Sequence, residues 1–185
     1  MALAITSLPR NPSFAQGLGL ALAGAALITL GAKIQIPFWP VPMTLHTLSV
    51  FLVALTLGPR LGLAAMAAYL GVGAAGLPVF SGTPERGIGL SYMVGPTGGY
   101  LLGYLVAAGL TGWLAIGRGW IGRVLAMLAG LAVVYAGGLA WLSLFVPAPK
   151  LLAAGLTPFL LGDLIKVLLA ATLMSGLSRL KGRDQ

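Results

Sequence analysis

Between Gly17 and Ala32 the only polar side chain is Thr29, and stretches of this kind recur to the end of the chain. A run of about 20 apolar residues is long enough to cross the hydrocarbon core as a helix. Within lipid only helices and closed barrels satisfy their own backbone, and these runs show Ala, Leu and Gly rather than strand alternation. Bounded by Gly, Pro and charge, they predict spans at about 14–36, 44–58, 60–76, 95–117, 120–146 and 155–179. The second and third are short and separated by "LGPRLG". They read as tilted helices, as partly buried ones, or as a tight helical hairpin.

Composition agrees. Of 185 residues, 58% are hydrophobic and 8% charged, with a mean hydropathy of +1.00, whereas a soluble domain carries about a quarter charged residues. The expected fold is an all-α membrane protein: one six-helix transmembrane domain over residues 1–185, with no appended soluble domain. No internal repeat argues for inverted halves. "MALAITSLPRNPSF" lacks the pattern of a cleavable signal peptide, so the first span is expected to direct insertion.

The net charge of +8 is explained by topology rather than by nucleic acid. With the N-terminus inside, Arg10, Arg60, Arg118, Arg123, Arg179, Lys181 and Arg183 fall on the cytoplasmic side, and Lys33, Arg86 and Lys150 on the other. That asymmetry obeys the positive-inside rule and predicts that both termini are cytoplasmic.

Two outer segments are irregular. "IQIPFWPVPMT" holds three prolines, which fix φ and remove amide donors, so it is expected to be extended and stiff. Phe38 and Trp39 belong either to an interfacial aromatic belt or to a lid over a pocket. The second segment, "GLPVFSGTPERGIGLSYMVGPTGGYLLGY", is long for a connection in a bundle. Pro96 suits the first turn of the helix that follows, whose free amides near Gly98 and Gly99 could attract an anion. Equally, these glycines could serve a tight turn and close helix packing.

Three acidic residues exist in the whole chain, and one of them, Asp163, lies in the apolar run "FLLGDLIKVLLAATL" beside Lys166. Positions three apart share a helix face. Charges in a span normally face the bundle interior or a watered cavity. Three readings compete: a mutually neutralising brace, a proton-relay carboxylate, or a pair that binds a polar ligand, the carboxylate accepting N–H bonds and the ammonium donating.

Enzyme chemistry finds little support. Cysteine is absent and His46 is the single histidine, so thiolate nucleophiles and multi-ligand metal sites are excluded. Glu85 is the only other acid outside the C-terminal tail, and no nucleophile-elbow context surrounds Ser91. A P-loop is missing, so the chain is expected to hold no ATP site, no cofactor and no metal, and to need a partner for uphill transport. Gly17, Ala21 and Ala25, at four-residue spacing, form a small-residue stripe suited either to docking a partner helix or to packing within the bundle.

Several stretches together resemble one family. "PFWPVPMTLHTLSVFL", "AAYLGVGAAGLPVFSG", "GPTGGYLLGYL" and "FLLGDLIKVLLA" resemble, in order and over nearly the whole chain, the BioY proteins, the biotin-specific substrate-binding (S) components of energy-coupling-factor (ECF) transporters. The resemblance implies a six-helix bundle in a bacterial or archaeal cytoplasmic membrane that captures biotin from outside. It implies partners too, a membrane scaffold subunit and two cytoplasmic ATPase subunits, although some members are thought to act without them. It places Asp163 and Lys166 at the ureido ring. Phe80, Tyr92 and Tyr100 would then enclose the apolar rings, and Arg86 or the amides near Gly98 would hold the valerate carboxylate. His46 departs from the glutamine common in that family, and "TPERG" is more charged than the usual glycine-rich stretch. Another water-soluble vitamin, or a scaffold with a structural Asp–Lys pair, stands as the alternative.

Overall fold

In the computed structural model the described residues are 12–36 and 40–183, with side chains described as far as residue 177. Arg10, Phe38 and Trp39 lie outside them, as do the side chains of Arg179, Lys181 and Arg183.

Ser13 and Gln16 start α1 (Phe14–Lys33) by capping each other: Gln16 N donates to Ser13 Oγ, and Ser13 N donates to Gln16 Oε1. This satisfies two donors that the first turn would leave bare. The proline-rich segment that follows is described outside residues 37–39, and Pro40 and Val41 lie in a bend. Its ends pair as antiparallel β1 (Gln35–Ile36) and β2 (Met43–Thr44), with Gln35 opposite Thr44.

The chain then enters α2 (His46–Ala74), two helical arms that meet at a break at Gly58, where φ is 78° and ψ is −176°. That conformation belongs almost wholly to glycine, and Pro59 follows it. His46 and Tyr69 show that the break is a reversal. Their ring centroids lie 5.2 Å apart, whereas 23 residues of straight helix would rise about 35 Å. Gly62 lies against the Cα of Ala54 for the same reason. "LGPRLG" thus makes a helical hairpin.

Residues 75–88 form turns around short α3 (Gly89–Met93), and α4 (Gly98–Leu114), α5 (Trp120–Leu142), α6 (Ala148–Gly155) and α7 (Thr157–Arg183) complete the chain. Pro96 precedes α4 rather than occupying its first turn. Close approach of α4 and α5 depends on glycine: a Cβ on Gly103 would meet the Val134 backbone, and one on Gly99 would meet Trp141. Among the described residues four helical stretches are long and apolar enough to cross a membrane, and α4 is a shorter apolar helix. Their outward faces carry Leu18, Leu22, Leu102, Val106, Ile121 and Leu161, all exposed, as a lipid-facing surface requires.

The small-residue stripe on α1 faces inward. Ala21 and Ala25 are buried, Gly24 would touch Ala65, and Gly17 adjoins Leu61. Of the two expected uses, docking a partner or packing within the bundle, these contacts are the second: the stripe lies against the second half of α2, because small residues let two helices of one bundle close together.

Candidate functional site

Asp163 and Lys166 point into the bundle, not toward lipid. They are 5% and 8% exposed, while Leu160, Leu161, Leu164 and Ile165 on the same helix are exposed. Lys166 Nζ donates to Asp163 Oδ1 at 2.8 Å. From α5, Tyr135 donates its hydroxyl to the other carboxylate oxygen, Oδ2, at 2.7 Å. Each carboxylate oxygen can accept two bonds and the ammonium can donate three, so both partners keep capacity for a ligand.

Beside the pair lies a half-enclosed cavity. Elements from across the sequence wall it: Val41, Pro42 and Thr44 from the proline-rich segment, His46 and Thr47 from the start of α2, Ser81 and Tyr92 from the long connection, Tyr104 and Tyr135 from α4 and α5. The hairpin in α2 is what returns Tyr69 to the level of His46. A hollow with an apolar aromatic wall and a few convergent polar groups is the usual form of a small-molecule site.

The tyrosines are held by their own hydroxyls. Tyr100 donates to the Gly155 carbonyl at 2.7 Å, and Tyr104 shares a hydrogen bond of 2.5 Å with Thr47. Gly138 and Gly155 leave the room that the Tyr100 ring fills. Burial pushes the Tyr92 phenol above its ordinary range, partly opposed by a hydrogen bond with Thr97 and by the charge of Arg86. It therefore stays a neutral hydroxyl at physiological pH.

Of the residues expected at a site, Asp163, Lys166, Tyr92 and Tyr100 line this cavity; Phe80, Arg86 and Gly98 do not. Phe80 stands one layer back. It stacks on Tyr92 at 4.8 Å and meets Tyr69 edge-on at 5.4 Å, in a space that the absent Cβ of Gly73 leaves free. It supports the wall instead of forming it. Gly98 is excluded for a backbone reason: its N–H is already bonded to the Gly95 carbonyl at 3.0 Å, because a turn precedes α4. The expected anion cradle at that amide is not formed.

Arg86 borders an adjoining hollow with Pro40, Glu85, Ser91, Gly95 and Pro96, and Nη1 donates to the Pro40 carbonyl at 3.1 Å. Tyr92 and Thr97 line both spaces, so they form the partition. Two further ties clamp this rim: Lys33 Nζ donates to the carbonyl and hydroxyl of Thr83, and the Ser81 hydroxyl donates to Gln35.

Sequence reasoning missed Thr47, Tyr69, Tyr104 and Tyr135. The available signal was a hydroxyl within an otherwise apolar span, which must find a partner inside the bundle. Among the described residues no group of three or more His, Asp or Glu side chains could hold a metal.

The family model of the BioY family matches residues 6–183. A Thermotoga maritima protein named biotin transporter BioY is 42% identical over 158 residues, covering 84% of this chain and 92% of that one. A Rhizobium etli protein of the same name is 36% identical over 166 residues, covering 83% and 87%. Among solved structures, the S-component for biotin from an ECF-type ABC transporter superposes with a TM-score of 0.78 at 27% identity, covering 91% of this chain and 95% of that one.

Proposed function

The chain belongs to the BioY family, and from that membership we propose that it captures biotin and carries it across the cytoplasmic membrane as the substrate-binding component of an ECF-type transporter. One observation carries the reading: a buried Asp163–Lys166 pair, already oriented by Tyr135, faces a cavity walled by aromatic rings. Biotin combines a cyclic urea, an apolar thioether ring and a carboxylate chain. Asp163 accepts from a ureido N–H, and Lys166 donates to the ureido carbonyl. Tyr92, Tyr100 and Tyr104 supply apolar surface for the rings. The carboxylate chain crosses the Tyr92–Thr97 partition toward Arg86.

In this reading the spans are α1, the two arms of α2, α4, α5 and α7, six in all, with both termini cytoplasmic. Arg60, Arg118 and Arg123 then lie on the cytoplasmic side, and Lys33 and Arg86 on the outer rim. Energy comes from outside the chain: a membrane scaffold subunit and two ATPase subunits supply it, and the chain itself performs no catalysis and holds no cofactor.

The pair could instead be a brace. A purely structural ion pair gains nothing from an adjacent hollow, and apolar replacement of such pairs is often neutral or stabilising. The test is a vitamin panel on the purified protein. Labelled biotin should bind saturably and be displaced by unlabelled biotin but not by thiamin or riboflavin. Saturable binding of labelled thiamin or riboflavin, with labelled biotin not retained, would assign a different solute.

A further inference from the structure

His46 is the first residue of α2, held there by local backbone bonds: its N–H donates to Thr44 Oγ1 at 3.1 Å, and the Leu45 N–H donates to the Ile34 carbonyl. These bonds fix the ring at the cavity wall, between Tyr104 at 4.5 Å and Tyr69 at 5.2 Å, where it is 6% exposed. The neighbouring polar groups already hold partners of their own. Tyr104 bonds Thr47, Tyr69 donates to the Val79 carbonyl, and the two oxygens of Asp163 are engaged by Lys166 and Tyr135. His46 Nε2 is left buried with no hydrogen-bond partner among the described residues.

A buried nitrogen without a partner is destabilising, and native structures keep few of them. Two aromatic faces prevent this ring from swinging out to find one. We propose that His46 is a specificity-determining residue of the cavity, whose Nε2 completes its hydrogen bonding on the bound ligand. A neutral imidazole offers a donor at one nitrogen and an acceptor at the other, and either tautomer can present Nε2. It therefore suits a ligand that carries N–H and C=O side by side, the pattern of a cyclic urea or amide. The inference rests on the biotin reading of this cavity and adds a third polar anchor to the Asp163–Lys166 pair.

The test uses the full-length protein, titrated with biotin and melted without ligand. His46→Phe keeps a flat ring between the tyrosines, and His46→Leu removes ring and nitrogen together. Both delete the nitrogen, so either suffices if the other folds poorly. His46→Gln retains a donor and an acceptor. The expected result is a Kd raised about tenfold or more in His46→Phe and His46→Leu, the loss of one buried hydrogen bond. Their ligand-free melting temperature stays equal to the parent's or rises, since an unsatisfied atom is gone, and His46→Gln stays near the parent in Kd. Unchanged biotin affinity in His46→Phe would overturn the inference while leaving biotin binding intact. A loss shared equally by His46→Gln, with a lowered melting temperature, would also overturn it by making His46 a packing residue. Failure of the parent itself to bind biotin would instead remove the functional reading beneath it.

Discussion

Tyr135 donates its hydroxyl to Oδ2 of Asp163 at 2.7 Å, from α5 across to α7, on the oxygen that Lys166 does not use. An ion pair three residues apart within one helix is free to rotate as a unit with its side chains. A hydrogen bond from a second helix removes that freedom and holds the carboxylate toward the cavity before any ligand arrives. Ordering a binding group in advance lowers what association must spend on it.

Tyr135→Phe should therefore weaken biotin binding while leaving the fold intact. A hydrogen bond to a charged group contributes about 1.5–3 kcal/mol, and part of that is kept because Lys166 still holds Oδ1. Calorimetric titration is expected to show a Kd raised roughly tenfold. An unchanged Kd would mean that the tyrosine only braces α5 against α7.

The Asp163–Lys166 pair should behave as a unit in stability. Removing one member leaves an uncompensated buried charge, at about 3–5 kcal/mol. Asp163→Asn and Lys166→Met should each lower the melting temperature in detergent, and the double variant should be more stable than the sum of the two predicts. Additive losses would show that the charges do not stabilise one another.

How much of this was legible in the sequence depended on what each residue had to do. Asp163 and Lys166 stood out because charge is expensive within a span, and their three-residue spacing settled their shared face. "LGPRLG" left a hairpin as one of three readings, and the backbone at Gly58, at φ 78°, is what selects it. The aromatic wall was harder to read. In a membrane bundle both the lipid side and the interior are apolar, so periodicity does not tell which face of α4 or α5 turns inward. Phe80 and Tyr92 sit in one connection, and only the packing of Phe80 into the space beside Gly73 puts it behind the wall. Gly17, Ala21 and Ala25 announced a close helix contact without naming the helix. At Gly98, the signal for a free amide failed because a turn consumed it.

Glycine substitutions offer a sharp contrast. Gly58→Ala forces a side chain into φ 78°, which costs on the order of 1–3 kcal/mol. Gly73→Ala drives a methyl into the Phe80 ring and should cost about 1–3 kcal/mol by overpacking, partly restored by adding Phe80→Leu. Gly19 has open space around it, so Gly19→Ala should be neutral or slightly stabilising through helix propensity. Thermal unfolding of the purified variants checks all three.

Placement of the carboxylate chain near Arg86 makes a ligand-side prediction. Arg86→Met should weaken biotin but hardly affect biotin methyl ester, whose carboxyl group carries no charge. Paired titrations with the two ligands measure this. Equal losses for both would put Arg86 in the rim structure, where it already donates to Pro40.

The most direct measurement is a biotin isotherm on the parent protein and on Asp163→Asn, recorded side by side by equilibrium dialysis. The parent should saturate near one equivalent. Loss of a charge-assisted bond in a buried site should weaken the variant by about 1–3 kcal/mol, roughly five- to 150-fold. Superimposable curves for the two proteins would contradict the claim that the ion pair in α7 receives the ligand.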